Sequence, residues 1–124
     1  MDVLGTLARR RTPKQVEGDA GEERALRFLE KQGLTLIERN FRCKGGEIDL
    51  VMKDGTGLVF VEVRKRAASG YGGAAASVTP RKQMRLVAAA HTFLQRYTMP
   101  PACRFDVITI DGNALNWLKN AIEA

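Results

Sequence analysis

Cysteine and histidine are scarce in this 124-residue chain, which contains two cysteines and one histidine. Cys43 and Cys103 are too few and too far apart in sequence for a disulfide framework or for the paired ligands of a zinc site. Because His91 is the only histidine, zinc chemistry and Ser-His or Cys-His nucleophilic catalysis lose their usual side chains. The sequence therefore argues against the hydrolase classes that depend on these residues.

Long apolar segments are also missing. No apolar run approaches the length that spans a bilayer, and the N-terminus lacks the apolar core of a signal peptide. We therefore expect a cytoplasmic protein with no membrane partner. The length predicts one domain, and a content of 44% hydrophobic and 27% charged residues is ordinary for a globular protein.

Acidic residues are outnumbered by basic ones, 14 to 20, which gives a formal net charge of +6. A basic balance favours an anionic partner, usually nucleic acid or an acidic membrane surface. Because many proteins without such a partner are also basic, the net charge alone does not distinguish these interpretations.

Hydrophobic periodicity and turn residues predict the order of the secondary-structure elements. Helices are expected at residues 20–32, with Asp19 as N-cap, and from Pro80, with Thr79 as N-cap, to a break at Pro100. Strands are expected at residues 35–42, 46–52, 58–64, 104–111 and 114–118. The order helix, three strands, helix, two strands predicts an α/β fold in which a mixed sheet of about five strands carries a helix on each face.

Three segments lie outside these elements. Residues 1–18 indicate a basic arm, which either trails along phosphates or is a solvated tail. Residues 67–77 are mainly Gly, Ala and Ser with Tyr71, and they predict a loop that closes over a substrate or simply connects two elements. Residues 120–124 are expected to form a tail, which leaves residues 19–119 as the folded domain.

The second predicted helix carries two apolar stripes, so we expect it to be broadly buried. One stripe contains Leu86, Ala90, Phe93 and Tyr97, and the other contains Met84, Val87, Ala88, His91 and Leu94. The position of His91 on an apolar stripe favours a histidine packed in the core over a metal ligand.

Three cations, Arg81, Lys82 and Arg85, crowd the first turns of this helix. Helix N-termini normally favour acidic side chains because of the helix dipole, so three cations there oppose helix stability. An anion bound at this end of the helix explains them better. Lys65 and Arg66 add further positive charge at the end of the preceding strand.

A β-hairpin is predicted where two apolar runs flank the turn Asp54-Gly55-Thr56-Gly57. A turn centred between Gly55 and Thr56 places Asp49 opposite Glu62, and Glu47 opposite Arg64. Opposed side chains have Cβ atoms roughly 5 Å apart, so two carboxylates there repel unless a cation or a proton lies between them. Mg²⁺ suits such a pair, because one or two carboxylates commonly hold it. A solvated outer face, or a turn shifted by one residue, would remove this argument.

Glu22 falls near the middle of the apolar stripe of the first predicted helix, which contains Ala25, Leu26 and Leu29. A carboxylate on a core-facing stripe is costly unless it is satisfied, so we interpret Glu22 as a third acid that approaches the hairpin site. The alternative is a first-turn glutamate that complements the helix dipole. Glu23 lies about a quarter-turn away, where it can pair with Arg27.

Several segments, in this order and spacing, resemble the bacterial YraN family of uncharacterised proteins. They are Gly21-Glu22-Glu23-Arg24-Ala25, Arg39-Asn40-Phe41-Arg42, Gly46-Glu47-Ile48-Asp49-Leu50, Val59-Phe60-Val61-Glu62-Val63-Arg64 and Val78-Thr79-Pro80-Arg81-Lys82. That family is similar to archaeal Holliday-junction resolvases within the PD-(D/E)XK nuclease superfamily. Asp49 matches the acid of the superfamily's first motif strand, and Glu62-Val63-Arg64 matches its (D/E)-X-K element.

The resemblance implies a restriction-endonuclease-like fold and a metal-dependent nuclease that acts on DNA, including branched DNA. Asp49 and Glu62 would then bind Mg²⁺ or Mn²⁺ with the backbone carbonyl of Val63, and Glu22 would hold a second ion or a water. Arg81, Lys82, Arg85, Lys65 and Arg66 would contact the nucleic-acid backbone. The resemblance also implies a weak homodimer and no small-molecule cofactor.

Arg64 departs from the superfamily's usual lysine. Arginine is not deprotonated in proteins, so it cannot serve as a general base, but it can hold a phosphate or a developing oxyanion by charge. Glu47 is the expected ion-pair partner of Arg64. Two alternatives remain open: a nucleic-acid-binding module without catalysis on the same fold, and a structural protein that dimerises through the hairpin edge.

Overall fold

The computed structural model describes residues 13–65 and 78–123, with side chains described from residue 20. Its elements are α1 (Pro13–Lys31), β1 (Thr35–Cys43), β2 (Gly46–Asp54), β3 (Gly57–Lys65), α2 (Pro80–Leu94), β4 (Cys103–Asp111) and β5 (Ala114–Leu118). The predicted order of helix, three strands, helix and two strands is confirmed. Neither of the two described helices is long and apolar enough to cross a membrane.

One sheet contains the five described strands in the order β1-β2-β3-β4-β5. All neighbouring pairs are antiparallel except β3 and β4, which run parallel because α2 crosses over between them. The β2–β3 turn has the predicted register, with Asp54 opposite Gly57 and Leu50 opposite Val61. Gly55 has φ +62°, a conformation that glycine adopts without a steric penalty. The sheet is therefore mixed, as predicted.

The two faces of the sheet carry separate hydrophobic clusters, one under each helix. On the α1 face, Ala25, Leu26 and Leu29 pack with Leu50, Met52, Val59, Val61, Ile108 and Ile110. On the α2 face, Leu86, Ala89, Ala90 and Phe93 pack with Ile48, Val51, Phe60, Phe105 and Val107. Both faces of β3 and β4 are thus covered, which explains why their sequences are apolar runs without clean alternation.

The first helix begins earlier than predicted. It starts at Pro13, so Asp19 lies inside the helix and the prediction of Asp19 as N-cap is wrong. Proline suits the first helical turn because its fixed φ is already helical and its missing N–H needs no partner there. Helix thus occupies residues 13–18 of the predicted arm, while residues 1–12 lie outside the described part of the chain. Arg66 and the predicted loop at residues 67–77 lie outside it as well.

The second helix starts where predicted, but Met84 and His91, which share one of its apolar stripes, do not pack in the core. Thr79 is the N-cap, and the helix ends at Leu94, before the predicted break. His91 is exposed, and Met84 is 72% exposed, so the predictions of a core histidine and of a broadly buried helix are wrong. The sheet covers only one side of α2, and that side presents Leu86, Ala90 and Phe93.

Candidate active site

An open cavity of about 450 Å³ lies where the N-terminus of α2 meets β2 and β3. Among the residues lining it are the three predicted acids, Glu22, Asp49 and Glu62, together with Arg64. The fold therefore brings these four side chains to one place, although they come from α1, β2 and β3. Glu47 and Val63 also border the cavity.

Asp49 lies at an irregular point of the sheet. The paired residues of β2 and β3 end at Leu50–Val61, and the next contact is a hydrogen bond of 2.8 Å from the Val63 N–H to Asp49 Oδ2. On the other side, Asn40 of β1 has φ +52°, an uncommon conformation for a residue other than glycine. The carboxylate of Asp49 thus takes the place of a backbone acceptor between β2 and β3, and this hydrogen bond fixes the orientation of the side chain.

The carboxyl groups of Asp49 and Glu62 lie within hydrogen-bonding reach of each other. Burial raises the pKa of Asp49, against the lowering effect of the Val63 N–H. Burial, followed by the negative charge of Asp49, raises the pKa of Glu62 to about 8. Two negative charges this close together in a largely buried pair are costly, so the pair holds a proton or needs a cation near neutral pH.

Glu22 projects from α1 toward this pair. Burial and then the charge of Asp49 raise the pKa of Glu22, while Arg39, Asn40 and Arg42 oppose the rise. The Oε1 atom of Glu22 is buried and has no hydrogen-bond partner. A buried carboxylate oxygen without a donor is costly, so this atom is suited to a cation or a bound water.

Hard divalent cations are compatible with these donors, because Mg²⁺ and Mn²⁺ prefer carboxylate, carbonyl and water oxygens. In the described residues, however, no three Asp, Glu, His or Cys side chains come close enough to form a ready-made metal-binding group. The Asp49–Glu62 pair is therefore the nucleus of the candidate metal site, and Glu22 lies further out.

Arg64 has a different partner from the predicted one. Its Nη1 atom lies 3.8 Å from Glu62 Oε2, whereas Glu47 pairs with Arg42 and Arg85, each at 3.8 Å. The prediction of a Glu47–Arg64 ion pair is wrong, because the β2–β3 ladder ends before these residues and Arg42 lies directly across from Glu47 on β1. The Nε atom of Arg64 is buried without a hydrogen-bond partner.

The basic side of the cavity is built by the first turns of α2. Arg81, Lys82 and Arg85 line it, as does Lys65 at the end of β3. Thr79 Oγ1 accepts a hydrogen bond of 3.2 Å from the Lys82 N–H, which caps the helix. A Cβ atom on Gly46 would overlap the carbonyl group of Arg85, so only glycine permits this close approach of α2 to β2.

Sequence reasoning missed two neighbours of the acids. The side chain of Asn40 hydrogen-bonds Glu22, and Arg39 Nη1 lies 2.9 Å from Glu23 Oε1. Glu23 also makes its predicted ion pair with Arg27, at 2.6 Å. Both missed residues belong to the segment Arg39-Asn40-Phe41-Arg42, whose likeness to the family was the one available signal.

A fully buried acid away from the cavity was also missed. Asp106 accepts hydrogen bonds from Arg104 Nε at 3.0 Å, Trp117 Nε1 at 2.9 Å and the Asn120 N–H at 2.8 Å. The predicted tail therefore packs against β4, and Ile122 is buried. The sequence feature that could have identified this buried acid is the position of Asp106 on the same strand face as Ile108 and Ile110.

The family profile and the individual relatives that match this chain all belong to one protein family. The profile described as "Uncharacterised protein family UPF0102" matches residues 21–110, which include every cavity residue named above. A UPF0102 protein of Herminiimonas arsenicoxydans is 73% identical over 118 residues, covering 95% of each chain. Another, from Janthinobacterium sp. (strain Marseille), is 62% identical over 121 residues, covering 98% of each chain. The chain therefore belongs to the UPF0102 (YraN) family, as its motifs predicted.

Proposed function

We propose that this protein is a metal-dependent, nuclease-like phosphodiesterase that acts on DNA. The observation that carries the proposal is the largely buried Asp49–Glu62 carboxylate pair, which borders a cavity that several basic side chains also line. Acids that bind a divalent cation and cations that bind phosphate are the two parts that metal-dependent phosphodiester hydrolysis uses. The net charge of +6 favours the same class of substrate.

Mg²⁺ or Mn²⁺ would be held by the carboxylates of Asp49 and Glu62 and by the carbonyl of Val63. When bound, the ion would lower the pKa of a water and offset negative charge on the phosphate. Glu22, with its unpartnered Oε1 atom, would bind a second ion or a water. Binding of a cation replaces the proton that the carboxylate pair otherwise keeps, so metal affinity should rise with pH.

The cations would hold the substrate. Arg64 borders the acids, and because guanidinium groups carry a positive charge in proteins, it would stabilise negative charge on the scissile phosphate. Arg81 and Arg85 on α2, with Lys65 on β3, would bind neighbouring phosphates and set the position of the strand.

A second candidate is a nucleic-acid-binding module without catalysis. It is favoured by Arg64 itself, which stands where the resembled motif has a lysine. Such a module would keep the basic rim and would lose turnover. The three acids weigh against it, because carboxylates beside a DNA phosphate oppose binding unless a cation offsets them.

The decisive experiment is a cleavage assay with purified protein on branched, duplex and single-stranded DNA, with Mg²⁺, Mn²⁺ or chelator. We expect metal-dependent cleavage by wild type and none by Asp49→Asn. Asp54→Asn is a matched control, because Asp54 also belongs to β2 but pairs with Arg104 away from the cavity. It should cleave like wild type.

Thermal stability gives an independent reading of the metal site. A ligand that binds only the folded state raises the melting temperature by mass action. Mg²⁺ or Mn²⁺ should therefore raise the melting temperature of wild type and Asp54→Asn, and not that of Asp49→Asn. Equal shifts in all three proteins would show that Asp49 is not a ligand. Metal binding without cleavage of any DNA would favour the binding module.

A further inference from the structure

Arg64 stands at the motif's lysine position, but its surroundings restrict it. Its Nη1 atom lies 3.8 Å from Glu62 Oε2, and both residues belong to β3. The Arg64 side chain is only 28% exposed. A guanidinium also differs from an ammonium ion in shape and hydration: it is a planar fork, whereas lysine offers a compact charge on a flexible stem. The β3 strand therefore supplies charge to the site without supplying an ammonium group.

Lys82 supplies an ammonium group from helix α2. It lines the same cavity as Asp49 and Glu62, and its positive charge acts on both carboxylates. Its backbone is fixed by the Thr79 cap at 3.2 Å. The helix turn that carries it is held against β2 by the contact of Gly46 with Arg85. The backbone of Lys82 is therefore fixed at the edge of the cavity that Asp49 and Glu62 also line.

We propose that Lys82, carried by helix α2, is the catalytic lysine of this site and does the work that a lysine at position 64 would do. This inference rests on the proposed phosphodiesterase function. It differs from the interpretation of Lys82 as a distant backbone contact, because it places the ammonium group on the reacting phosphate. Lys82 would be a catalytic residue, whereas Arg81 would only position the strand.

The reaction in which Lys82 acts is hydrolysis. The oxygen of a water forms a bond to phosphorus, and the bond from phosphorus to one bridging oxygen breaks. The water loses a proton to solvent, and the departing oxygen takes one from solvent, so that atoms and charge balance. The Lys82 ammonium group takes no part in these proton transfers. It donates hydrogen bonds to a non-bridging phosphate oxygen, whose negative charge grows in the transition state.

The test compares Lys82→Met with Lys53→Met in single-turnover cleavage. Lys53 is an exposed lysine of β2 that does not line the cavity, so its loss should change neither rate nor affinity. Lys82→Met should lower the rate about 100-fold, the usual effect of removing one transition-state donor. Its affinity for DNA should fall far less than its rate, because most phosphate contacts remain.

A relocated lysine provides the sharpest test. In the double variant Lys82→Met with Arg64→Lys, the ammonium group returns to β3, and we expect cleavage to recover at least tenfold over Lys82→Met alone. A residue that merely supports the fold would not be rescued in this way. A Lys82→Met protein that cleaves at the wild-type rate, or a double variant no faster than Lys82→Met, would overturn the role of Lys82.

A measurement of Mg²⁺ affinity distinguishes a failure of this inference from a failure of the proposed function. The affinity is obtained from the melting temperature as a function of Mg²⁺ concentration. Removing a positive charge beside the carboxylates should let Lys82→Met bind Mg²⁺ at least as tightly as wild type, which shows that the site is intact. Weaker Mg²⁺ binding by Lys82→Met would mean a damaged site and would overturn the proposed placement of Lys82. A wild type that cleaves no DNA would overturn the proposed function together with the catalytic role.

Discussion

The Oδ2 atom of Asp49 lies 2.8 Å from the backbone nitrogen of Val63, beyond the last residue pair of the β2–β3 ladder. This bond satisfies a backbone N–H that has no partner in the ladder, and it fixes the largely buried carboxylate of Asp49 toward Glu62. A local break in strand pairing therefore creates the acidic half of the candidate site.

The pH dependence of stability should report the carboxylate pair. An unfolded glutamate releases its proton near its ordinary pKa of 4.5, whereas folded Glu62 keeps its proton up to about pH 8. Between these values the folded state binds more protons than the unfolded state, so the free energy of unfolding falls as pH rises. With metal chelated, the melting temperature should drop by several degrees between pH 5 and 8.

Glu62→Gln is the matching variant for this pH experiment, because it keeps the shape of the side chain and cannot ionise. Its melting temperature should fall less over the same pH range, and it should exceed that of wild type at pH 8. Asp49 leaves some residual pH dependence, since its pKa is raised as well. Parallel curves for the two proteins would contradict the raised pKa of Glu62.

The basic rim should be visible in the salt dependence of DNA binding. Each phosphate contact contributes roughly −0.9 to the slope of log K against log salt on B-form DNA. Arg81→Ala should therefore make the slope shallower by about one unit, as measured by fluorescence anisotropy on a labelled duplex. Lys53→Ala, outside the cavity, should leave the slope at its wild-type value. An unchanged slope for Arg81→Ala would place that side chain outside the DNA footprint.

Gly46→Ala should separate α2 from the sheet. The new methyl group would overlap the backbone of Arg85, which cannot move away as a side chain would. We expect a loss of about 1–3 kcal/mol of stability in chemical denaturation, the usual cost of overpacking. Gly21→Ala is the control, because its methyl group meets only Ile110 Cδ1 at an ordinary 3.6 Å. Unchanged stability of Gly46→Ala would show that the helix is not held there.

Asp106→Ala should be the most damaging change away from the cavity. It would leave the Arg104 Nε–H, the Trp117 indole N–H and the Asn120 N–H without their acceptor. Breaking a buried charged pair from one side typically costs about 3–5 kcal/mol. Asp54→Ala also removes a partner of Arg104, but from a more exposed position, so it should cost no more than ~1 kcal/mol. Equal losses in urea denaturation would contradict this ranking.

Local sequence patterns determined the element order, the hairpin register and the N-cap at Thr79. These features depend on neighbours in sequence: turn residues fix the register of a hairpin, and a threonine before a proline starts a helix. The same register brought Asp49 and Glu62 within reach of each other. The ordered motifs also determined the family.

The tertiary structure decided which partners these residues meet. Glu47 pairs with Arg42 and Arg85 instead of Arg64, because strand β1 and helix α2 reach it where the β2–β3 ladder has ended. His91 is exposed because the sheet covers one side of α2, and helical periodicity alone does not say which apolar stripe faces the sheet. Lys82 faces the acids for the same kind of reason: its place depends on a helix packing against a distant glycine.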